Sequence, residues 1–528
     1  MSKKYSTDYE IGQDNLQKFG LDIHNPVFII SALIVLAFVI VTAIFPSTAN
    51  ETLDGAKWWA INNFDWLFMS SSNIFVIFCL FLIFLPVGKI RIGGENAKPD
   101  FSKMSWFSML FAAGMGIGLM YWSVAEPVAY YTDWWHTPLN VEANTPQARE
   151  LAMGATMFHW GLHPWAIYAI VGLSLAFFSY SKKLPLTMRS AFYPILGDKI
   201  WGWPGHVIDI LAVFATIFGL ATSLGLGAQQ VASGLHFLFD VSNGVGTQII
   251  IIVCITAIAI VSVVRGLEGG VKILSNLNII LAFLLIMFLI IVGPTIGIFN
   301  GFLDTVGAYA TNMLDLANFV GREDQEWFHG WTIFYWAWWI AWSPFVGMFI
   351  ARVSKGRTVR EFIIAVLLIP TLITAVWMSA FGTTGIDQVI NETGALANGL
   401  TNKSLAMFQM LENLPLSSIT SFLAIFLVIV FFVTSSDSGS LVIDSITAGG
   451  KLDAPTTQRV FWAVVEGAVA ISLLYMGGKE ALSALQAGSI TTALPFTIIL
   501  LVMCFSLYKG LNNELKHLDS LKKQEKGK

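Results

Sequence analysis

Three tryptophans of one apolar run, Trp338, Trp339 and Trp342, fall within little more than one turn of helix, with Trp336 nearby. The run reads from Trp331 through Ser343-Pro344-Phe345 and stays apolar to Ile350. Its rings therefore lie inside a span, whereas lipid-interface belts concentrate tryptophan at helix ends. A second run carries Trp160, Trp165 and Tyr168, with His159 and His163 among them. Two facing aromatic walls can hold a cation that has no N–H to donate, because ring quadrupoles attract it by about 2 kcal/mol once water is excluded. Taken alone, the second set also reads as ordinary core packing.

Two further stretches are unusual for passive membrane packing. Gly114-Met115-Gly116-Ile117-Gly118, preceded by Ala112 and Ala113 and followed by Glu126-Pro127, sets three glycines in five positions. Such a stretch can unwind, and irregular backbone at membrane depth is tolerated where it lines a cavity. Close packing of small residues is the alternative. Phe431-Phe432-Val433-Thr434-Ser435-Ser436-Asp437-Ser438-Gly439-Ser440 places hydroxyls and an acid inside another apolar run, which is costly unless they are satisfied. Oxygens of Thr434 and Ser435, joined by carbonyls of the unwound glycine stretch, would suit sodium; hydroxyls bonding back to their own helix are the other reading. The sequence holds no phosphate loop, nucleophile elbow or metal-ligand spacing, which leaves an ion gradient as the energy source and no cofactor beyond the coupling ion.

The elements that must position these residues are set by composition. Of 528 residues, 55% are hydrophobic and 12% charged, which excludes an ordinary soluble domain, and the net charge of −4 gives nucleic acid no footing as a partner. The solvent is lipid. Cys79, Cys254 and Cys504 all lie in apolar runs and read as packing residues. Apolar windows of about 20 residues predict an all-α integral membrane protein with about twelve spans. They fall at 26–46, 64–87, 105–131, 151–180, 206–236, 247–264, 273–298, 330–351, 361–382, 416–447, 460–476 and 489–508. Lys and Arg gather in the loops that share a side with the N-terminus, for example Lys89, Arg91, Lys182, Arg352 and Lys451. The positive-inside rule then puts both termini in the cytoplasm. One transmembrane domain over 26–508 is expected, between cytoplasmic tails at 1–25 and 509–528. An amphipathic helix is expected on the outer surface within 299–329. The Lys-rich C-terminal tail reads as a solvated end, or one that touches anionic lipid.

The stretches 111–127, 158–169, 215–230, 332–362 and 431–440, in that order, resemble the betaine/choline/carnitine transporter family over nearly the whole chain. The resemblance implies two leading helices followed by two inverted five-helix repeats, at about 105–298 and 330–508, in a homotrimer of the bacterial inner membrane. It implies a substrate site formed by Trp160, Trp165, Tyr168, Trp336, Trp338, Trp339 and Trp342 with Met115, Gly116 and Gly118. It implies a sodium site from backbone of Ala112, Met115 and Phe431 and hydroxyls of Thr434 and Ser435. A further family sodium site would use Thr216 and Phe345, but its second threonine position is Leu220, which cannot ligate an ion. Choline carriers of the family tend to carry Asp where this chain has Gly118, which favours a zwitterion such as glycine betaine or dimethylsulfoniopropionate. The carnitine exchangers place Met where Val346 stands.

Sodium-coupled uptake of a small zwitterionic onium osmolyte by alternating access is therefore the expectation. A proton-coupled carrier would instead titrate His159, Glu126 or Asp437. An osmosensory receptor without flux is a third reading, and an enzyme is not expected.

Overall fold

Long apolar runs punctuated by proline and glycine give a molecule that is almost wholly helical, because backbone polar groups in lipid must be satisfied within their own segment. The computed structural model describes residues 5, 7–114, 116–265 and 272–526. Among them, nine helices are long and apolar enough to cross a membrane, or ten if one bent pair counts as a single span. The predicted spans map onto these. The unit Thr456–Gln524 holds two of them, separated by a turn at Gly478–Glu480. The 105–131 span is present but broken, as Lys103–Gly114 and Ile117–Thr132. With Asn276–Val292 as a span in its own right, about twelve crossings result.

Four elements position the residues singled out above. The broken span is the first; the residue at the break, Met115, lies outside the described residues, and Gly116 leaves it with extended backbone (φ −169°, ψ −175°). The second is Pro146–Trp160 continued by Leu162–Ala176, where Gly161 bends the chain. The third, the tryptophan helix Phe334–Val353, is entered through a widened turn at Phe328–Ile333 and packs against Leu162–Ala176 and Trp203–Phe239. The fourth is the hydroxyl helix Ser417–Thr447, which packs on Trp203–Phe239.

An amphipathic helix runs Thr295–Ala317, starting ahead of the expected 299–329 segment and bent 111° from the preceding span. It buries Ile298, Thr305, Ala308 and Tyr309 against Pro146–Trp160 and Val359–Ile390 and leaves Ile296, Phe299, Leu303 and Leu314 exposed, the pattern of a helix lying in the interface plane.

Both tails differ from solvated ends. Residues 15–24 form an antiparallel hairpin, Asn15–Lys18 with Leu21–His24, on the face that carries the termini. Asp22 meets Lys451 at 2.5 Å, Asn15 donates to the Ala448 carbonyl, and the Tyr9 ring stacks on Trp201 at 3.9 Å. The last helix continues from Ala481 to Lys526. Leu511 and Leu518 are buried, and Glu514 forms a buried ion pair with Lys182. Leucines at i, i+4 and i+7 make the tail an amphipathic helix with a protein surface to bury against.

Candidate functional site

At the break between Lys103–Gly114 and Ile117–Thr132, the side chains of the second and third elements converge. Trp160, Trp165 and Tyr168 face Trp338, Trp339 and Trp342, and Gly116 and Gly118 close the remaining side. Trp160 meets Trp339 edge-on at 4.9 Å between ring centroids, and Trp338 stacks on Trp339 at 4.6 Å. Trp165 and Tyr168 stand at 5.3 Å. Only a residue without a side chain fits at 118, since a Cβ there would come within 2.7 Å of Trp160 and 3.0 Å of Trp338. The hydroxyl of Tyr168 and the indole N–H of Trp342 are buried without hydrogen-bond partners. The N-terminal end of Ile117–Thr132, which has no side-chain cap, lies at the same site, a setting that favours negative charge. Rings for an onium head and donors for a carboxylate thus meet in one place. Free space among the rings amounts to about 30 Å³, room for a water or two and far less than a quaternary ammonium needs, so this conformation is contracted around the site.

Trp336 does not join the cage. Its N–H points to the Met69 sulfur at 3.0 Å, and its ring stacks on His163 at 5.2 Å, on the side facing Pro46–Phe84. Tyr335, which sequence reasoning passed over, sits instead on the cage side, 5.6 Å from Trp160 and 5.8 Å from Trp339.

Glu126 holds the cage in register. Fully buried, it accepts from Tyr130 (2.9 Å) and the His159 ring (2.8 Å) at one oxygen, and from Trp160 (2.7 Å) and Tyr335 (2.5 Å) at the other. His159 in turn reaches Thr332 at 3.0 Å, and its backbone carbonyl accepts from the Trp339 indole at 2.9 Å. One carboxylate therefore ties three chain segments and fixes two cage rings. Four donors to one buried anion compensate much of its desolvation.

Beyond the cage, toward the face that carries the termini, lies a cavity of about 520 Å³. Ala112, Phe431, Thr434 and Ser435 all line it, so the structure brings together the described members of the expected ion site. Thr434 Oγ1 lies 3.0 Å from the Val430 carbonyl and accepts from Asn278 at 3.2 Å; back-bonding and cavity lining coexist in this residue. Phe345 lines the same cavity, whereas Thr216 bonds its own helix at the Ala212 carbonyl (2.7 Å) and lines neither compartment. Asp437 points the other way and accepts from Ser262 at 2.6 Å. Ala113 and Trp342 line both compartments, so the Trp342 ring is part of the partition between them.

On the opposite face, a stack of rings covers the cage. Tyr121 and Trp122 (4.8 Å), Trp122 and Trp331 (5.3 Å), and Tyr130 with Trp331 (4.9 Å) and Trp327 (5.3 Å) interlock edge to face.

Comparison with known proteins places this arrangement among membrane carriers. The model of the betaine/carnitine/choline family of transporters matches residues 26–516. Glycine betaine transporter 1 of Vibrio parahaemolyticus is 63% identical over 511 residues, 96% of this chain and 98% of the relative. A glycine betaine/proline/choline/ectoine transporter of the same organism is 61% identical, covering 97% of this chain and 92% of its own length. A glycine betaine transporter of Bacillus subtilis is 43% identical, with 95% and 97% covered.

Proposed function

The chain belongs to the betaine/carnitine/choline transporter family and is a carrier rather than an enzyme, and from that premise we propose that it takes up a zwitterionic onium osmolyte together with sodium. Glycine betaine is the substrate of choice, and the sulfonium zwitterion dimethylsulfoniopropionate fits the same chemistry. The observation that carries this reading is the six-ring cage beside the helix break, with a cavity holding Ala112, Phe431, Thr434 and Ser435 directly next to it. No charged side chain lines either compartment among the described residues, which suits a substrate whose charges already cancel. The trimethylammonium group would lie among the rings, and its carboxylate toward Tyr168, the Trp342 indole and the N–H groups after Gly116.

In this mechanism sodium completes the contact between the broken span and the hydroxyl helix, and the two helix bundles rock around the site. Both termini face the cytoplasm, and a homotrimer forms with the flat Thr295–Ala317 helix contributing contacts; its exposed Phe299, Leu303 and Leu314 support that placement. Gly118→Asp would raise choline recognition relative to glycine betaine by supplying the missing carboxylate, and would weaken both ligands by displacing Trp160. Competition of choline against labelled glycine betaine measures this.

Purified protein in liposomes should accumulate labelled glycine betaine when an inward sodium gradient is imposed, and not when potassium replaces sodium. A second reading, proton coupling, is favoured by one observation, the buried Glu126–His159 pair at 2.8 Å. Accumulation that ignores sodium and follows an inward proton gradient would establish it instead.

A further inference from the structure

Under the N-terminal hairpin lies a group of buried side chains whose hydrogen-bonding capacity is left unused. Arg189 gives its Nε and its backbone N–H to Asp209, one to each carboxylate oxygen. Its two terminal nitrogens, Nη1 and Nη2, are buried with no acceptor among the described residues. His24, the last residue of the hairpin, has neither ring nitrogen paired, and His206, near the start of Trp203–Phe239, has Nδ1 unpaired. The two imidazoles stand 5.5 Å apart, and the charges of Arg189 and His206 both bear on His24. Exposure is 0% for His24, 2% for Arg189 and 8% for His206, so bulk water does not satisfy them. Each buried donor left unmade costs about 1–3 kcal/mol, and a charged one more. Groups of this kind in a native fold call for an occupant.

We propose that His24, Arg189 and His206 form a buried site for a small inorganic anion of the chloride type, which pins the hairpin to the terminus-bearing face. The end of a guanidinium beside two imidazoles is a surplus of donors, and donors without acceptors select an anion. Asp209 compensates Arg189 only at Nε and the backbone, and Asp14, the other acid that bears on His206, is exposed and keeps its water. Enclosure sets the size of the ligand. A lipid headgroup or a nucleotide phosphate would have to lift the hairpin away, whereas a halide needs little more room than a water molecule. Elsewhere the hairpin is held by Asn15 on the Ala448 carbonyl, by Asp22 on Lys451, and by the Asp22 N–H on Gln458 at 3.2 Å. Those contacts all lie on the 448–458 side. The anion supplies the missing attachment to Arg189 and His206, and hairpin docking becomes sensitive to the anion concentration on that side of the membrane.

Amide exchange of the purified full chain tests the site, with sodium chloride replaced stepwise by sodium gluconate at constant sodium and ionic strength. Exchange over residues 15–24 should slow saturably with chloride, by about tenfold at ten times its half-saturating concentration. Exchange in Thr295–Ala317, on the other face, should not change. Arg189→Lys keeps the charge beside Asp209 and removes the two terminal nitrogens, so it should abolish the chloride effect. In crystals grown with bromide, an anomalous peak should lie among the three side chains. Exchange that is equal in the two salts, equal slowing in both regions, a lysine variant with the full chloride effect, or no bromide peak would overturn the site and leave water as the occupant. Should Arg189→Lys fail to insert, His206→Phe makes the same test, with loss of the chloride effect expected and its retention overturning the assignment. None of these outcomes depends on which osmolyte the carrier moves.

Discussion

The two halves of the path on either side of the cage are built on opposite plans. Toward the far face, Tyr121, Trp122, Tyr130, Trp327 and Trp331 interlock, and Glu126 satisfies donors from three segments. Toward the terminus-bearing face, a cavity of about 520 Å³ is walled by loosely opposed aromatic and hydroxyl residues. The packed half is held by a cluster of buried hydrogen bonds on one carboxylate; the open half is held mainly by helix packing, with Asn278 reaching Thr434 at 3.2 Å. Alternating access requires the packing of the two halves to exchange, so the bonds that close the far side must be ones that motion can break. Most of the rings in the far-side stack lack a shared hydrogen-bond acceptor and can part, whereas Glu126 keeps Trp160 and Tyr335 together while they do.

The strongest way to break this contrast is Glu126→Ala. It leaves Tyr130, His159, Trp160 and Tyr335 without their acceptor, at about 1–3 kcal/mol for each buried donor. Thermal unfolding of the purified variant should occur well below that of wild type, and uptake should vanish. Uptake near the wild-type rate would mean that the network does not hold the cage. Next in size, Trp339→Ala removes a ring from the cage and leaves the cavity beyond untouched, and the loss of about 2 kcal/mol corresponds to roughly thirtyfold weaker glycine betaine binding. Binding to purified protein is the measurement, with unchanged affinity removing Trp339 from the site. On the open side, Thr434→Ala combined with Ser435→Ala should raise the sodium concentration for half-maximal uptake about tenfold while the cage keeps its shape. An unaltered sodium curve would leave the open half without an ion site.

The last effect, local and away from the transport path, concerns the hairpin beside that open face. His24 is fully buried, and burial, then the charges of Arg189 and His206, push its pKa down to about 3. The docked hairpin thus favours neutral imidazole. Above the ordinary histidine value of about 6.5 docking carries no penalty; as pH falls through that value it loses about 1.4 kcal/mol per unit, or about 2 kcal/mol at pH 5. Asp22 and Lys451 oppose the release with their ion pair. Amide exchange over residues 15–24 should speed up between pH 7.5 and pH 5, and His24→Leu should remove the dependence.

How much of the fold and the site is legible in the sequence depends on how locally each part is encoded. The broken span is written in three glycines of five residues, and the hydroxyl face in consecutive Thr and Ser, so both are readable. Helical spacing also separates the cage rings. At about 100° per residue, Trp336 points more than 100° away from the mean direction of Trp338, Trp339 and Trp342, while Tyr335 falls among them. That signal is present and was overridden by residue type. Leu511, Leu515 and Leu518 likewise mark the tail as an amphipathic helix. Other features have no local signature. The acid at 126 is visible, but its partners Trp160 and Tyr335 lie 34 and 209 residues away, and only the fold brings them together. Asn276 and Asn278 stand out as polar residues early in an apolar run, yet nothing in the run shows that Asn278 reaches Thr434.

The absence of charged side chains from both compartments, among the described residues, has an electrical consequence. A walled path without fixed charge leaves the membrane potential little to act on except what passes through. A zwitterion crosses without carrying net current, however large its dipole. Each accompanying sodium ion would move one elementary charge, worth about 2.3 kcal/mol per 100 mV. Current recorded during steady turnover would then count ions alone, and its ratio to labelled substrate uptake would give the stoichiometry of the cycle directly.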